Sequence, residues 1–439
     1  MSLRRQKIIN DFKMSQELLK KFQKAYKNLD LLPLLSETGW AEFGVEYQED
    51  TIAELEQLVE DSPTQDSKII FTGHRGCGKS TLLADFSRRI KENYFVVFFS
   101  ISDMIEMSDV NHINILFAIA LQLMDEADRQ DVQIPKSTKE AIEKWFAKKT
   151  RIETNRVTAE SSAGFNLFEI IAGKLKVDAQ IREEIKQEFI RKTSELVAQI
   201  NIIASTLKSA SGKNPLVIID DLDKLDLGVV QDIFQDHIKA LFLPNFSIIF
   251  TIPISALREV RLNATIETES NNQIVFMPVS KLFAKWERRK ADAMPNAEVR
   301  NQLEKLLSKR ISSDILEADT AEKIILSSGG VLRELIRISN ECCRICLRLV
   351  RREKDRTDIK INNKVLEEAV NKLRLDFELR LGSADYEILN TTYKKLMPDD
   401  PKDQKFLDLL HGLYVLEYRN HDLWYDVHPI VTQSLQKRQ

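Results

Sequence analysis

Cysteine is scarce in this chain, with four residues among 439. Three of them (Cys342, Cys343, Cys346) crowd one short segment and Cys77 stands alone, so no disulfide framework is expected. Reduced thiols in a cytoplasmic protein are the simplest reading. No apolar run approaches the length of a membrane-spanning helix; the most apolar stretches, Ile115 to Met124 and Ser247 to Leu257, are core-sized. The basic start (Arg4, Arg5, Lys7) has no apolar region after it, so no secretory signal is expected. Charge of one sign does not dominate: Lys+Arg number 64 and Asp+Glu 67, a net charge of -3, which argues against a globally basic nucleic-acid binder. The six histidines are dispersed and form no ligand-spaced pair. No repeat of solenoid period stands out. What is abundant is apolar residues at 43% and charged residues at 30%, a globular balance that excludes whole-chain disorder. The length suggests two to four domains.

The first thirty residues read as a basic amphipathic helix with Leu18, Leu19, Phe22, Tyr26 and Leu29 at helical spacing. Such a helix either docks on the body of the protein or serves as an arm for a membrane surface or nucleic acid. Beyond Pro33 and Gly39 the pattern becomes strand, loop and helix. Lys68–Thr72, Tyr94–Ile101, Leu216–Ile219, Ser247–Ile252 and Gln273–Met277 are short apolar runs suited to buried parallel strands. Residues from about 130 to 212 are charged and helical, with one long helix expected over Ile181–Ala210. From Pro278 to about Leu381 the pattern is helical, and the end mixes helices with a hairpin around Asn420-His421-Asp422.

Gly73-His74-Arg75-Gly76-Cys77-Gly78-Lys79-Ser80 fits G-x-x-x-x-G-K-[ST], between a strand and a helix. Glycines let consecutive amides point at phosphate oxygens, and the helix that follows adds its positive end. Gly73 to Thr81 are therefore the candidate phosphate cradle, with Lys79 at the β/γ-phosphates and Ser80 offering a hydroxyl to Mg²⁺. The strand Leu216–Ile219 ends in Asp220 and Asp221, at the sheet edge where ligands gather in open α/β folds. Asp220 is the candidate magnesium ligand, and Asp221 the candidate for activating water. The bland alternative is a buried strand followed by a helix cap, since Asp223 also precedes a helical run.

The phosphate loop, the segment Ile218–Lys224 and the strand through Thr251 together resemble the AAA+/STAND division of P-loop ATPases, with origin-recognition-type, KAP-type and NACHT-like relatives. The resemblance spans roughly Phe43 to Leu381. It implies a P-loop parallel sheet with a helical lid, ATP and Mg²⁺ as cofactors, Thr251 as a sensor-1 residue, and Arg333, after Ser328-Gly329-Gly330, as sensor 2. Leu326-Ser327-Ser328-Gly329-Gly330 also echoes the ABC signature, but that signature belongs before the acidic strand and here follows it. A finger in trans falls among Arg258, Arg261, Arg288 and Arg289.

Two departures matter. The long connection between Lys79 and Asp220 marks residues 130–212 as an insertion, either a decoration packed on the core or a partner-binding arm. KAP-type relatives carry membrane segments near this point and this chain has none, which counts against that assignment. The expected domains are residues 1–42, a P-loop core over 43–280, a helical lid over 281–382, and a winged-helix-like domain over 383–439. The last is acidic: Ser383–Ser434 holds five Lys/Arg against nine Asp/Glu, poorly suited to phosphate contacts. Arg333–Arg356, with eight Lys/Arg against four Asp/Glu, is either a nucleic-acid strip or a solvated face. The reading is an ATP-hydrolysing switch, slow or partner-stimulated, coupled to a separate effector or sensor protein in bacterial signalling or anti-phage defence. The alternatives are a DNA-associated AAA+ ATPase of the replication initiator or transposition regulator type, and a nucleotide switch with negligible turnover. A nucleotide-dependent homo-oligomer stays open; membrane insertion is not expected.

Overall fold

A computed structural model describes residues 2–151, 167–290, 292–353, 356–419 and 422–436, with side chains from residue 14. Asn420 and His421 of the expected hairpin tip, and residues 152–166 of the insertion, lie outside this set. The chain divides into two compact units. One comprises Glu49–Thr72 and Leu82–Phe276, the other Met1–Gln48, Gly73–Thr81 and Met277–Gln439.

The first unit is built on a five-stranded sheet: β1 (Lys68–Gly73), β2 (Tyr94–Ser100), β3 (Asn214–Asp220), β4 (Ser247–Pro253) and β5 (Ile274–Met277), in the order β2-β3-β4-β1-β5. β2 runs parallel to β3 from Tyr94 opposite Asn214 to Ser100 opposite Asp220, and β3 runs parallel to β4. β1 and β4 are buried along their whole length. Continuous apolar strands of this kind form because helices cover both faces of a parallel sheet. The helix His112–Arg129 is buried on nearly every side, and Asn111 caps its start by accepting from the amides of Ile113 and Asn114.

The insertion packs on this helix through aromatic side chains. Phe146 stands edge-on to Phe117 and to Phe168, with centroids 5.5 Å apart in each pair. Among the described residues this block packs on the core. The single helix expected over Ile181–Ala210 is instead two, Ala179–Phe189 and Thr193–Ser211. The break needs no glycine or proline: Lys192 leaves helical geometry at φ −132°, and its N–H bonds back to Phe189 O.

In the second unit, the N-terminal helix Ser2–Asn28 packs against the helix Leu332–Arg352. Phe22, Ala25 and Leu29 are buried there, whereas Tyr26 is exposed. It docks. The C-terminal part is winged-helix-like: helices Ser383–Lys395 and Gln404–His411, then the antiparallel hairpin β6 (Val415–Arg419) and β7 (Leu423–Val427). Leu396, Leu413, Leu416, Tyr418 and Trp424 of this part form one buried cluster with Val279 and Val331.

Candidate nucleotide site

β1 leads directly into the glycine loop, and a helix starts at Lys79. Gly76 and Gly78 take φ of +82° and +102°, the left-handed side that only glycine adopts cheaply. Space is as tight as torsion: a Cβ on Gly76 would lie 2.6 Å from Arg333 Cβ. Lys79 is buried, and its ammonium donates to the carbonyls of Gly73 and His74, both at 2.9 Å. Leu34 N–H donates to Thr81 Oγ1. The loop's curl and the charge at its end suit a phosphate chain.

Two C-terminal elements hold the same loop. Arg333, at the start of its helix, donates its backbone N–H to Gly76 O at 2.9 Å. Burial lowers the pKa of its guanidinium, and Arg75 nearby adds to the effect. On β6, the backbone N–H of Glu417 donates to Nε2 of His74 at 2.7 Å. His74 is fully buried, so this bond is made out of water. Behind it, the Ser328-Gly329-Gly330 turn is clamped: Tyr418 donates its hydroxyl to Gly329 O at 2.8 Å, and a Cβ on Gly330 would fall 1.9 Å from Ser280 O.

Arg288 and Arg289, weighed as fingers, converge on Asp426 of β7 at 2.8 and 3.0 Å. Arg289 also lies over the Tyr393 ring, 4.1 Å from its centroid. The three crowded thiols are buried, and burial pushes Cys343 up to about 12. They are core residues, not ligands.

At the end of β3, Asp220, Asp221 and Asp223 are buried and bring ligand oxygens within 4.8 Å of one another. This all-oxygen set fits Mg²⁺. Asp221 sits at φ +69°, a left-handed turn that aspartate tolerates. Its Oδ2 accepts from Ser100 Oγ at 2.7 Å and Ser102 Oγ at 2.9 Å, and its Oδ1 pairs with Lys224 at 2.6 Å. Burial pushes its pKa up, but Lys224 and the two serines outweigh that and hold it below the usual carboxylate value. Thr251, fully buried, donates to Ile219 O and accepts from Leu222 N–H, both at 3.1 Å. It ties down the backbone on both sides of the acids.

The predicted residues thus gather in two sets: Gly73–Thr81 with Arg333 in one unit, and Asp220, Asp221 and Thr251 in the other. Sequence reasoning missed Asp223 as a third clustered carboxylate. It also missed Ser100 and Ser102, although the parallel pairing of β2 with β3 sets Ser100 beside Asp220. Nothing local signalled Glu417 or Asp426.

Three solved structures are similar along most of the chain, with TM-scores below 0.5. The Cdc6p structure from Pyrobaculum aerophilum shares 10% identity at TM-score 0.39, over 90% of this chain and 95% of that one. The ORC2 protein of Aeropyrum pernix, in ADPNP–ADP complexes, shares 10% at 0.39, over 89% and 94%. The Holliday junction branch migration motor RuvB of Thermotoga maritima shares 13% at 0.37, over 93% and 99%. No curated protein matches. Among the described residues no helix is long and apolar enough to cross a membrane, which at the sequence level counted against a KAP-type assignment. The KAP family P-loop domain nevertheless matches residues 49–341 and overturns that objection. The chain belongs to the KAP family of P-loop NTPases.

Proposed function

We propose that this chain is an ATP-hydrolysing molecular switch of AAA+/STAND type, in which the state of the phosphate loop is read by the lid and the winged-helix-like end. The observation that carries the proposal is the pair of hydrogen bonds from Arg333 N–H and Glu417 N–H to the loop. A triphosphate draws on the loop amides and on the Lys79 ammonium, which here bonds to the Gly73 and His74 carbonyls. Engaging it changes what those carbonyls, and the His74 ring beside them, hold. Two-state contacts of this kind let a ligand bias a distant element.

In this reading Gly73–Thr81 cradle the phosphates, and Lys79, Ser80 and Asp220 hold Mg·ATP, with Asp223 beside them. Bound Mg²⁺ neutralises phosphate charge. Asp221 orients the attacking water once it leaves Lys224; while paired it is ionised but weakly basic, which fits slow turnover that a partner stimulates. Thr251 positions the acids, and Arg333 senses the nucleotide. Arg258, Arg261, Arg288 and Arg289 remain the candidates for a finger in trans; of these, Arg288 and Arg289 pair with Asp426. A cytoplasmic setting and a separate effector protein belong to this reading, and signalling or anti-phage defence is its setting.

Charge weighs against the DNA-associated alternative. Along Leu332–Arg352 and just beyond, Arg344 pairs with Glu341, Arg348 with Glu368, and both Arg352 and Arg356 with Glu353. Part of this strip's charge is thus engaged within the protein, and the acidic Ser383–Ser434 segment, five Lys/Arg against nine Asp/Glu, offers phosphates little more.

Phosphate release by the full chain is the first test, comparing wild type with Lys79→Ala and Asp221→Asn. Wild type should hydrolyse ATP and both variants should lose most of it. Hydrogen exchange along Val415–Arg419 should differ between ATP and ADP in wild type, and not in Lys79→Ala. If wild type releases phosphate no faster than Lys79→Ala, or β6 exchanges identically under both nucleotides, the switch reading is wrong.

A further inference from the structure

The histidines dispersed along the sequence do not stay apart in the fold. His112 is the first residue of the helix His112–Arg129, and only 6% of it is exposed. Asp232–Asp236 forms a π-turn, and His237 follows it. In an α-helix, positions five apart stand about 140° from each other around the axis. The wider π-turn brings residues at that spacing back over one another. Asp232 and His237 therefore share a side, with His237 Nε2 3.8 Å from Asp232 Oδ1. The His237 ring stacks on His112, centroids 3.9 Å apart and planes inclined by 25°. Each of the three side chains brings one ligand atom within 4.8 Å of the other two.

A second observation points the same way. Nδ1 of His112 is buried and has no hydrogen-bond partner among the described residues, a cost that native proteins seldom leave unmet. A metal ion binds imidazole through an unprotonated ring nitrogen, and would meet the need of a buried His112 nitrogen that lacks a partner.

We propose that His112, Asp232 and His237 bind a divalent transition-metal ion of the Zn²⁺ class, with water completing the coordination. Two imidazole nitrogens and one carboxylate oxygen suit such an ion, whereas Mg²⁺ prefers oxygen ligands like those at the end of β3. Stacked rings present their lone pairs side by side, so closing the site requires one ring to turn. His237, 40% exposed at its side chain, is the ring with room to do so. The bound ion joins the start of the helix His112–Arg129 to the segment that follows the β3 acids in the chain. This site stands independently of the nucleotide reading.

The test uses the untagged full chain, stripped with chelator and held in excess Mg²⁺ to occupy oxygen sites. Titration with Co²⁺ should produce visible d–d absorption saturating at one equivalent, and Zn²⁺ should abolish it. His237→Ala and Asp232→Asn alter exposed or half-exposed side chains, so both should fold, and each should bind Co²⁺ at least tenfold more weakly. Asp220→Asn, which alters the other carboxylate cluster, should leave the bands unchanged. Absence of bands in wild type, or bands of equal strength in His237→Ala, would overturn the proposal.

Discussion

Thr251 offers a direct contest between two roles for one hydroxyl. As a sensor it acts on nucleotide; as placed, it accepts from Leu222 N–H and donates to Ile219 O, both at 3.1 Å. Thr251→Val keeps the shape and removes both bonds. The side chain is fully buried, so no water replaces the lost acceptor and Leu222 N–H is left bare. The cost of such a buried donor is about 1–3 kcal/mol, and at about 1.4 kcal/mol per factor of ten the local opening equilibrium rises by about fivefold to about a hundredfold. Amide exchange over residues 219–225, read by mass spectrometry, should accelerate by that factor in Thr251→Val and stay near wild type in Thr251→Ser. Hydrolysis should fall and recover with the same two variants. If Thr251→Val loses hydrolysis while exchange is unchanged, the positioning argument is refuted and the hydroxyl acts on the ligand itself.

Two further outcomes follow from buried charge. Asp426→Ala strands Arg288 and Arg289, which both pair with it, and should lower the stability of the C-terminal part by about 3 kcal/mol; a thermal unfolding midpoint equal to wild type would contradict this. His428 is fully buried, and burial together with Arg288, Arg337 and His74 pushes it down to about 3. The unfolded chain therefore takes up this proton at higher pH than the folded one, so stability is complete above about pH 6.5 and declines as pH falls toward 3. His428→Gln should flatten that limb by up to about 1.4 kcal/mol per pH unit; an unchanged slope in acid denaturation would count against it.

Much of the sheet was readable because it rests on local pattern. Continuous apolar runs bounded by loops correspond to β1 through β5, and the glycine spacing located the phosphate loop with its helix. What escaped notice depends on distant pairing. Of the serines that hold Asp221, Ser100 ends β2 and Ser102 lies in the short helix Ile101–Met104 just after it, both far away in sequence, and only strand register brings Ser100 level with Asp220. The meeting of His112 with His237 depends on a π-turn that no periodicity announces. The break at Lys192 was hidden for another reason: the sequence around it stays helix-friendly, and tertiary packing of Phe189 and Leu196, both fully buried, sets two helix directions where propensity alone allowed one.

The bond between β6 and the phosphate loop has a lopsided chemistry. Its donor is the main chain of residue 417, which every residue but proline supplies alike, while its acceptor is one imidazole nitrogen that only the side chain of residue 74 provides. Exchanging residue 417 for other types leaves the donor in place, whereas a single change at 74 deletes the acceptor. Tuning of this connection therefore falls to the loop, at a position that the nucleotide-binding pattern itself leaves open to any residue.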